Sequence, residues 1–179
     1  MAAGGNGESM TAWRNRGDRA MQPGITPETL ELERFLPYRL AVLSDTISRT
    51  LARVYADRFQ LSVAEWRVMA LLGRFPGLSA AEVAARGAMD KVMVSRAVAR
   101  LLGLGRIQRQ RQARDRRCSS LRLSASGRTI YREIVPLAKS YELALLAAVP
   151  PSELAAFDRA FERLLSSARE IGMTDHQTS

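Results

Sequence analysis

The sequence predicts a mainly α fold (α+β in class) with one β-hairpin set among helices. Three observations lead there. First, apolar residues recur at spacings of three and four through most of the chain after Thr26. Second, between Arg86 and Arg132 a helix-like run, MDKVMVSRAVARLL, precedes two alternating runs, RIQRQRQ and CSSLRLS, joined by the polar tip ARDRR. Third, that stretch holds thirteen Arg/Lys and only two acids, Asp90 and Asp115, a net charge of +11. The rest of the chain holds fourteen bases and sixteen acids, a net of −2. A helix followed by two strands with an arginine-rich tip reads as a recognition helix and its wing. A charge excess confined to one segment is the footprint of a nucleic-acid contact surface.

The elements follow in order. Residues 1–25 are rich in Gly, Ala, Arg and Asn without apolar periodicity, and are expected to form a disordered arm. Thr26-Pro27 places an N-cap before a proline at the first helical position, which predicts a short helix over Glu28–Phe35. Leu36, Leu40, Leu43, Ile47, Leu51 and Val54 then predict one long amphipathic helix over Pro37–Phe59. Ser62-Val63-Ala64-Glu65 and Ser79-Ala80-Ala81-Glu82 are capping boxes, in which serine and glutamate satisfy each other's free N–H groups. The first opens a helix to about Arg74, broken by Phe75-Pro76-Gly77; the second opens a short helix to Arg86, ended by Gly87. Met89–Leu104 is the next helix, with Val94, Val98 and Leu101 on its inner face and Gly105 in the left-handed position that closes it. Ile107–Gln112 and Cys118–Leu123 are the strand pair. Ser124 caps a helix over Ala125–Val149 containing Pro136. Pro150-Pro151 forces a break before a final helix from Ser152 to Ile171, striped by Leu154, Phe157, Phe161, Leu164 and Leu165.

This divides the chain into the arm (1–25), an N-terminal helical part (26–60), a winged helix-turn-helix (61–124), C-terminal helices (125–171) and a loose tail (172–179). The striped helices at both ends fall outside the DNA-binding unit and need partners. The economical expectation is that they pack together and against a second copy, forming a dimerisation domain. A homodimer then reads two half-sites about one helical turn apart, ~34–36 Å.

Composition bounds the rest. A formal charge of +9 favours a polyanionic partner. No apolar run approaches the ~18–20 residues of a membrane span. The N-terminus lacks a basic-then-apolar leader, so a cytoplasmic protein without a membrane role is expected. One cysteine, Cys118, precludes an internal disulfide, and one histidine, His176, leaves little for metal ligation or a nucleophile set. No enzyme, cofactor or metal site is expected.

The DNA-contact candidates on the recognition helix are Lys91, Val92, Met93, Ser95, Arg96 and Arg100, the positions off its inner face. Serine and arginine reach base edges, and Val92 and Met93 suit thymine methyl groups. On the wing they are Arg109, on a strand flank and suited to phosphate, and Arg114, Asp115, Arg116 and Arg117 around the tip. An arginine there suits a narrowed minor groove, where the negative potential is enhanced. Asp115 is placed to fix a neighbouring arginine by ion pairing.

From Leu36 to about Ala168 the chain resembles the multiple-antibiotic-resistance regulator (MarR) family of winged-helix transcription factors. Leu61–Leu72 is similar to that family's second helix and Leu78–Ala84 to its third. Asp90–Leu101 is similar to its recognition helix, and Asp115-Arg116-Arg117 with Leu121-Arg122-Leu123-Ser124 and Gly127 to its wing and fifth helix. Ser124 stands where threonine is usual, and Gly103 lies within the end of the recognition helix. The resemblance implies a homodimeric transcriptional regulator on a palindromic double-stranded operator. It also implies a small-molecule inducer bound between the dimer helices and the DNA-binding lobe. The reading is a repressor relieved by an aromatic acid or its thioester; the alternative is an effector-independent, nucleoid-type architectural protein. The family's Asp-x-Arg pattern favours Arg117 over Arg116 for the minor groove, and some members sense oxidants through cysteine. Tyr38, Arg39, Trp66 and Met69 are the ligand-pocket candidates, with Arg39 suited to a carboxylate. The competing reading makes Trp66 and Met69 core and Arg39 surface.

Overall fold

The computed structural model describes residues 29–112 and 115–174, with side chains outside 111–119 and 172–174. Six helices and two strands occupy the described residues: α1 (Leu36–Phe59), α2 (Val63–Arg74), α3 (Ala80–Arg86), α4 (Lys91–Gly103), β1 (Ile107–Gln112), β2 (Asp115–Leu123), α5 (Ala125–Leu146) and α6 (Pro151–Thr174). The described backbone divides into two compact units, the first ending at Asp45 and the second beginning at Thr46.

In the first unit, residues 29–35 depart from expectation. They form a turn at Leu32–Arg34 rather than a helix. The Phe35 N–H reaches the Glu31 carbonyl at 3.0 Å. Pro37 has no N–H to continue that ladder, so the segment stays one turn long. Pro37 instead sits in the first turn of α1, where a missing donor is harmless. Leu36, Leu40 and Leu43 line this half of α1 and are exposed.

The second unit holds the core. Val68, Met69 and Leu72 of α2, Val83 of α3, and Val94, Val98 and Leu101 of α4 are fully buried with Ile107, Leu121 and Leu123 from the hairpin. Both capping boxes are present: Ser62 Oγ accepts from the Glu65 N–H, and Ser79 Oγ from the Glu82 N–H, each reciprocated by the glutamate. The turn into α4 runs through Ala88, at φ +47, with the Met89 N–H returning to the Ala84 carbonyl at 3.0 Å. That left-handed conformation costs an alanine about 1 kcal/mol, held in place by burial of the Met89 side chain. Helix α4 begins at Lys91, two residues later than expected, because Asp90 is its N-cap and accepts from the Val92 and Met93 N–H groups. Gly103 continues the helix, and Gly105, at φ +63, turns the chain into β1.

Strand β2 starts at Asp115, three residues earlier than expected. The hairpin pairs regularly from Ile107↔Leu123 to Arg111↔Ser119 and shifts register between Arg111 and Gln112. The edge of β2 gains a contact that local sequence does not announce: the Leu121 N–H bonds the Leu78 carbonyl at 2.8 Å, and the Gly77 N–H bonds the Leu121 carbonyl at 2.9 Å. Ser124 caps α5 as expected. Its hydroxyl also donates to the Gly105 carbonyl at 2.6 Å, which fastens the root of the wing to the end of the recognition helix.

Helix α5 accommodates Pro136 and ends at Leu146, three residues short of expectation. Val149 precedes Pro150, which disfavours helical φ/ψ there, and the chain tightens into the Val149 N–H to Leu146 carbonyl bond. Helix α6 starts with Pro151 at its first position and runs three residues past Ile171, to Thr174. Phe157, Phe161, Leu164 and Leu165 on it are exposed.

Helix α3 yields a pH prediction. The two hydrogen bonds from Ser79 hold the Glu82 carboxyl below its ordinary value of 4.5. A lowered folded pKa contributes stability that is complete above the unfolded value and is lost as pH falls through the folded one. The melting temperature of Glu82→Ala should therefore lie below that of the parent at neutral pH. The gap should close as the pH is taken below 4.5. Thermal melts of both proteins across that range check it; a gap independent of pH would show that the carboxylate is not the stabilising group.

Candidate nucleic-acid interface

Helix α4 presents two faces. Val94, Ala97, Val98 and Leu101 are buried, while Lys91, Val92, Met93, Ser95, Arg96 and Arg100 are exposed. The cause is local. The inner residues fall at i, i+3, i+4 and i+7, so a single stripe docks on α2 and α3 and the remaining arc faces out. The Asp90 cap satisfies two N–H groups at the leading end of this arc, at 2.8 and 3.1 Å.

Four of the six helix candidates converge on one groove. Val92, Met93, Arg96 and Arg100 of α4 face Ser62, Ala64 and Glu65 of α2 across about 410 Å³. Lys91 and Ser95 are exposed beside it. Asp90 also lines the groove, so two carboxylates stand in it with the arginines; its outward apolar and cationic groups, Val92, Met93 and Arg96, are the mixture that thymine methyls and phosphates call for together.

Arg100 has a second task. Its guanidinium lies 3.3 Å from Glu65 Oε1 and donates to the Gln60 carbonyl at 3.4 Å. Glu65 is 3% exposed, and its other oxygen accepts from the Ser62 N–H at 2.8 Å. One buried carboxylate therefore caps α2 and holds α4. Capping alone accounts for Glu65 in the sequence, and nothing in the local pattern of either helix signals the pair. The Asp90 cap was missed, although a polar residue just before an apolar-periodic run is the usual cap signal.

Arg109 is exposed on β1, opposite Leu121. Arg114 lies outside the described residues. Asp115, Arg116 and Arg117 open β2, and their side chains, like that of Cys118, lie outside the description; so does His176. Among the pocket candidates, Trp66 and Met69 are buried in the core. Trp66 stacks on Tyr131 at 6.0 Å between ring centroids and meets Tyr55 at 5.6 Å. Burial pushes the Tyr55 hydroxyl up to about 12, so that ring stays neutral. Tyr38 and Arg39 are exposed on the first half of α1. Among the described residues no group of His, Cys, Asp and Glu is placed to hold a metal ion, and no helix is long and apolar enough to cross a membrane.

A helix with an outward cationic arc, the tight turn before it and the hairpin fastened behind it define a winged helix-turn-helix protein. Residues 59–117 match the sequence model of the MarR family, and the chain has the fold of MarR-type transcriptional regulators. It is similar to a MarR/EmrR family regulator from Acinetobacter sp. ADP1, at 20% identity and TM-score 0.72 over 79% of this chain and 99% of that one. It is similar to the PcaV regulator from Streptomyces coelicolor, solved with its natural ligand, at 22% identity and TM-score 0.65 over 78% and 98%. It is also similar to Bordetella bronchiseptica BpsR, whose DNA binding is regulated by 6-hydroxynicotinic acid, at 19% identity and TM-score 0.66 over 76% and 96%. No curated protein matches the chain significantly.

The Glu65–Arg100 pair sets Arg100 apart from Arg96. Arg100→Ala strands a buried carboxylate and should destabilise the fold by about 1–3 kcal/mol. Arg96→Ala, which breaks no described bond, should stay within about 0.5 kcal/mol. Adding Glu65→Gln to Arg100→Ala should recover part of the loss. Urea unfolding of these three variants and of Glu65→Gln alone checks this, and additive losses would remove the pair.

Proposed function

We propose that the protein is a homodimeric DNA-binding transcriptional regulator, a repressor released by a small ligand. The observation that carries the reading is the outward arc of α4, where Val92, Met93 and Arg96 share one groove inside the segment of net charge +11. In this reading Lys91, Val92, Met93, Ser95 and Arg96 enter the major groove, and Arg109 holds the backbone. Arg114, Arg116 or Arg117 reaches the minor groove beyond. Phosphate contacts set orientation, and the helix supplies sequence preference.

The dimer reading is supported by apolar surface that the single chain leaves open. Phe157 and Phe161 pair at 6.3 Å and remain 48% and 49% exposed. Leu36, Leu40 and Leu43 add a second stripe. Contiguous apolar faces on long helices mark interaction surfaces, and the two striped regions, 26–60 and 125–171, fit a dimerisation domain around residues 61–124. Release by a ligand is supported by PcaV, solved with its natural ligand, and by BpsR, whose DNA binding is regulated by 6-hydroxynicotinic acid. An aromatic acid or its thioester is the ligand class proposed, acting by binding the two arrangements of the recognition helices unequally.

Selection of bound fragments from a random-sequence DNA pool tests the function. Recovery of an inverted repeat is expected, with a sedimentation mass near twice 19.8 kDa. Arg96→Ala should cost about 1–3 kcal/mol on the selected site and less on random DNA. Replacing both Arg116 and Arg117 by alanine removes four charges per dimer. The slope of log K against log[salt] should fall by up to about 3.6, at about 0.9 per phosphate. A monomer, or the same affinity for every sequence, would overturn the regulator reading.

A further inference from the structure

A second cationic site lies away from the α4 face. The C-terminal end of α2, the root of β2 and the first turns of α5 enclose a groove of about 460 Å³, lined by Gly73, Pro76, Arg122, Arg128, Tyr131 and Arg132 among others. Among the described residues no carboxylate lines it. That sets these arginines apart from Arg34, Arg58 and Arg100, which meet Glu31, Glu133 and Glu65. Two of the three are held in place. Arg128 donates to the Leu123 carbonyl at 3.0 Å. Arg122 brings Nε and an η nitrogen within 2.6 and 3.1 Å of the Gln108 side-chain amide, which accepts two hydrogen bonds once the amide is turned to offer its oxygen. Arg132 makes no hydrogen bond to a described residue and is free to engage a ligand.

The apolar wall is equally fixed. A Cβ on Gly73 would stand 2.6 Å from the Tyr131 ring, so the ring lies directly against the α2 backbone and would have to shift to admit any side chain there. Leu72 and Pro76 extend this wall. Like charges are gathered without a counter-ion, beside an aromatic surface, in a volume within the ~300–1,000 Å³ typical of small-molecule sites. Guanidinium forks match the terminal oxygens of a phosphate, and three of them suit its double charge better than a single carboxylate. The groove lies about 10–16 Å along α2 from the Ser62–Glu65 groove, at 1.5 Å per residue, and at the opposite end of β2 from the hairpin tip.

We infer that this groove binds a small phosphomonoester, its phosphate held by Arg122, Arg128 and Arg132 and its apolar body lying along Tyr131 and Pro76. Binding there ties the root of the wing to α5. The claim is independent of DNA binding, and its first test uses no DNA.

Trp66 stacks on Tyr131 and so reports on the groove. Trp13→Phe leaves Trp66 as the sole tryptophan, since the sequence has two. Titrating the full chain with phenyl phosphate should change Trp66 emission saturably, and phenol should not reproduce it. The Kd should rise about tenfold or more in Arg128→Ala/Arg132→Ala. It should be unchanged in Lys139→Ala, a residue of a different groove between α1 and α5. Melting curves control for folding. Should the double variant not fold, Arg132→Gln alone, which breaks no described hydrogen bond, should still weaken binding several-fold. No saturable signal at millimolar phenyl phosphate, or equal binding by all variants, would overturn the proposal. So would loss of salt-dependent DNA affinity in the arginine variants without phenyl phosphate binding, which would make the groove a DNA-backbone clamp.

Discussion

The buried Glu65 carboxylate is the constraint on which the packing of α4 against α2 depends. A charged oxygen out of water is tolerable only with its partners in place. One of its oxygens closes the capping box of α2, and the other faces Arg100 on α4. The two helices are therefore held in register by a polar contact as well as by the apolar stripe of Val94, Ala97, Val98 and Leu101. Apolar packing alone resists separation but permits sliding; a directional pair at one edge resists rotation of α4 about its own axis. That rotation would carry Val92, Met93 and Arg96 out of their shared groove.

A comparable economy governs the wing. The Ser124 hydroxyl accepts from the Gly127 N–H and donates to the Gly105 carbonyl, while the Ser124 N–H bonds the Arg106 carbonyl at 3.0 Å. One residue starts α5, closes the hairpin and fixes both to the end of α4. On its far edge the hairpin is held by the Leu78–Leu121 bridge. The basic strands thus stand on a root clamped from two sides, and the arginine groove between β2 and α5 inherits that rigidity.

Much of this was legible in the sequence because the signals are local. Serine and glutamate three residues apart announce a capping box from steric and hydrogen-bonding rules that hold wherever the chain is. The period of Val94, Val98 and Leu101 identifies the inner face of α4 without knowledge of what it packs on. Gly105 marks a left-handed turn. The misses are local too, and have local causes. Pro37 cuts a helix to a turn; Val149 before Pro150 ends α5 early; Asp90 takes the cap that shifts the start of α4.

What the sequence by itself determined is therefore the order of the elements, their caps and breaks, their buried stripes, and the concentration of positive charge on one helix and hairpin. Tertiary structure alone decided which distant side chains meet. Glu65 with Arg100, Ser124 with Gly105, Leu78 with Leu121, and Tyr131 against Gly73 are pairings between residues far apart in the chain. No propensity or period encodes them, because each depends on how two finished elements cross. The same holds for the three arginines of the second groove. In the sequence they are ordinary members of a basic segment; folding sets them around one cavity with no acid among them.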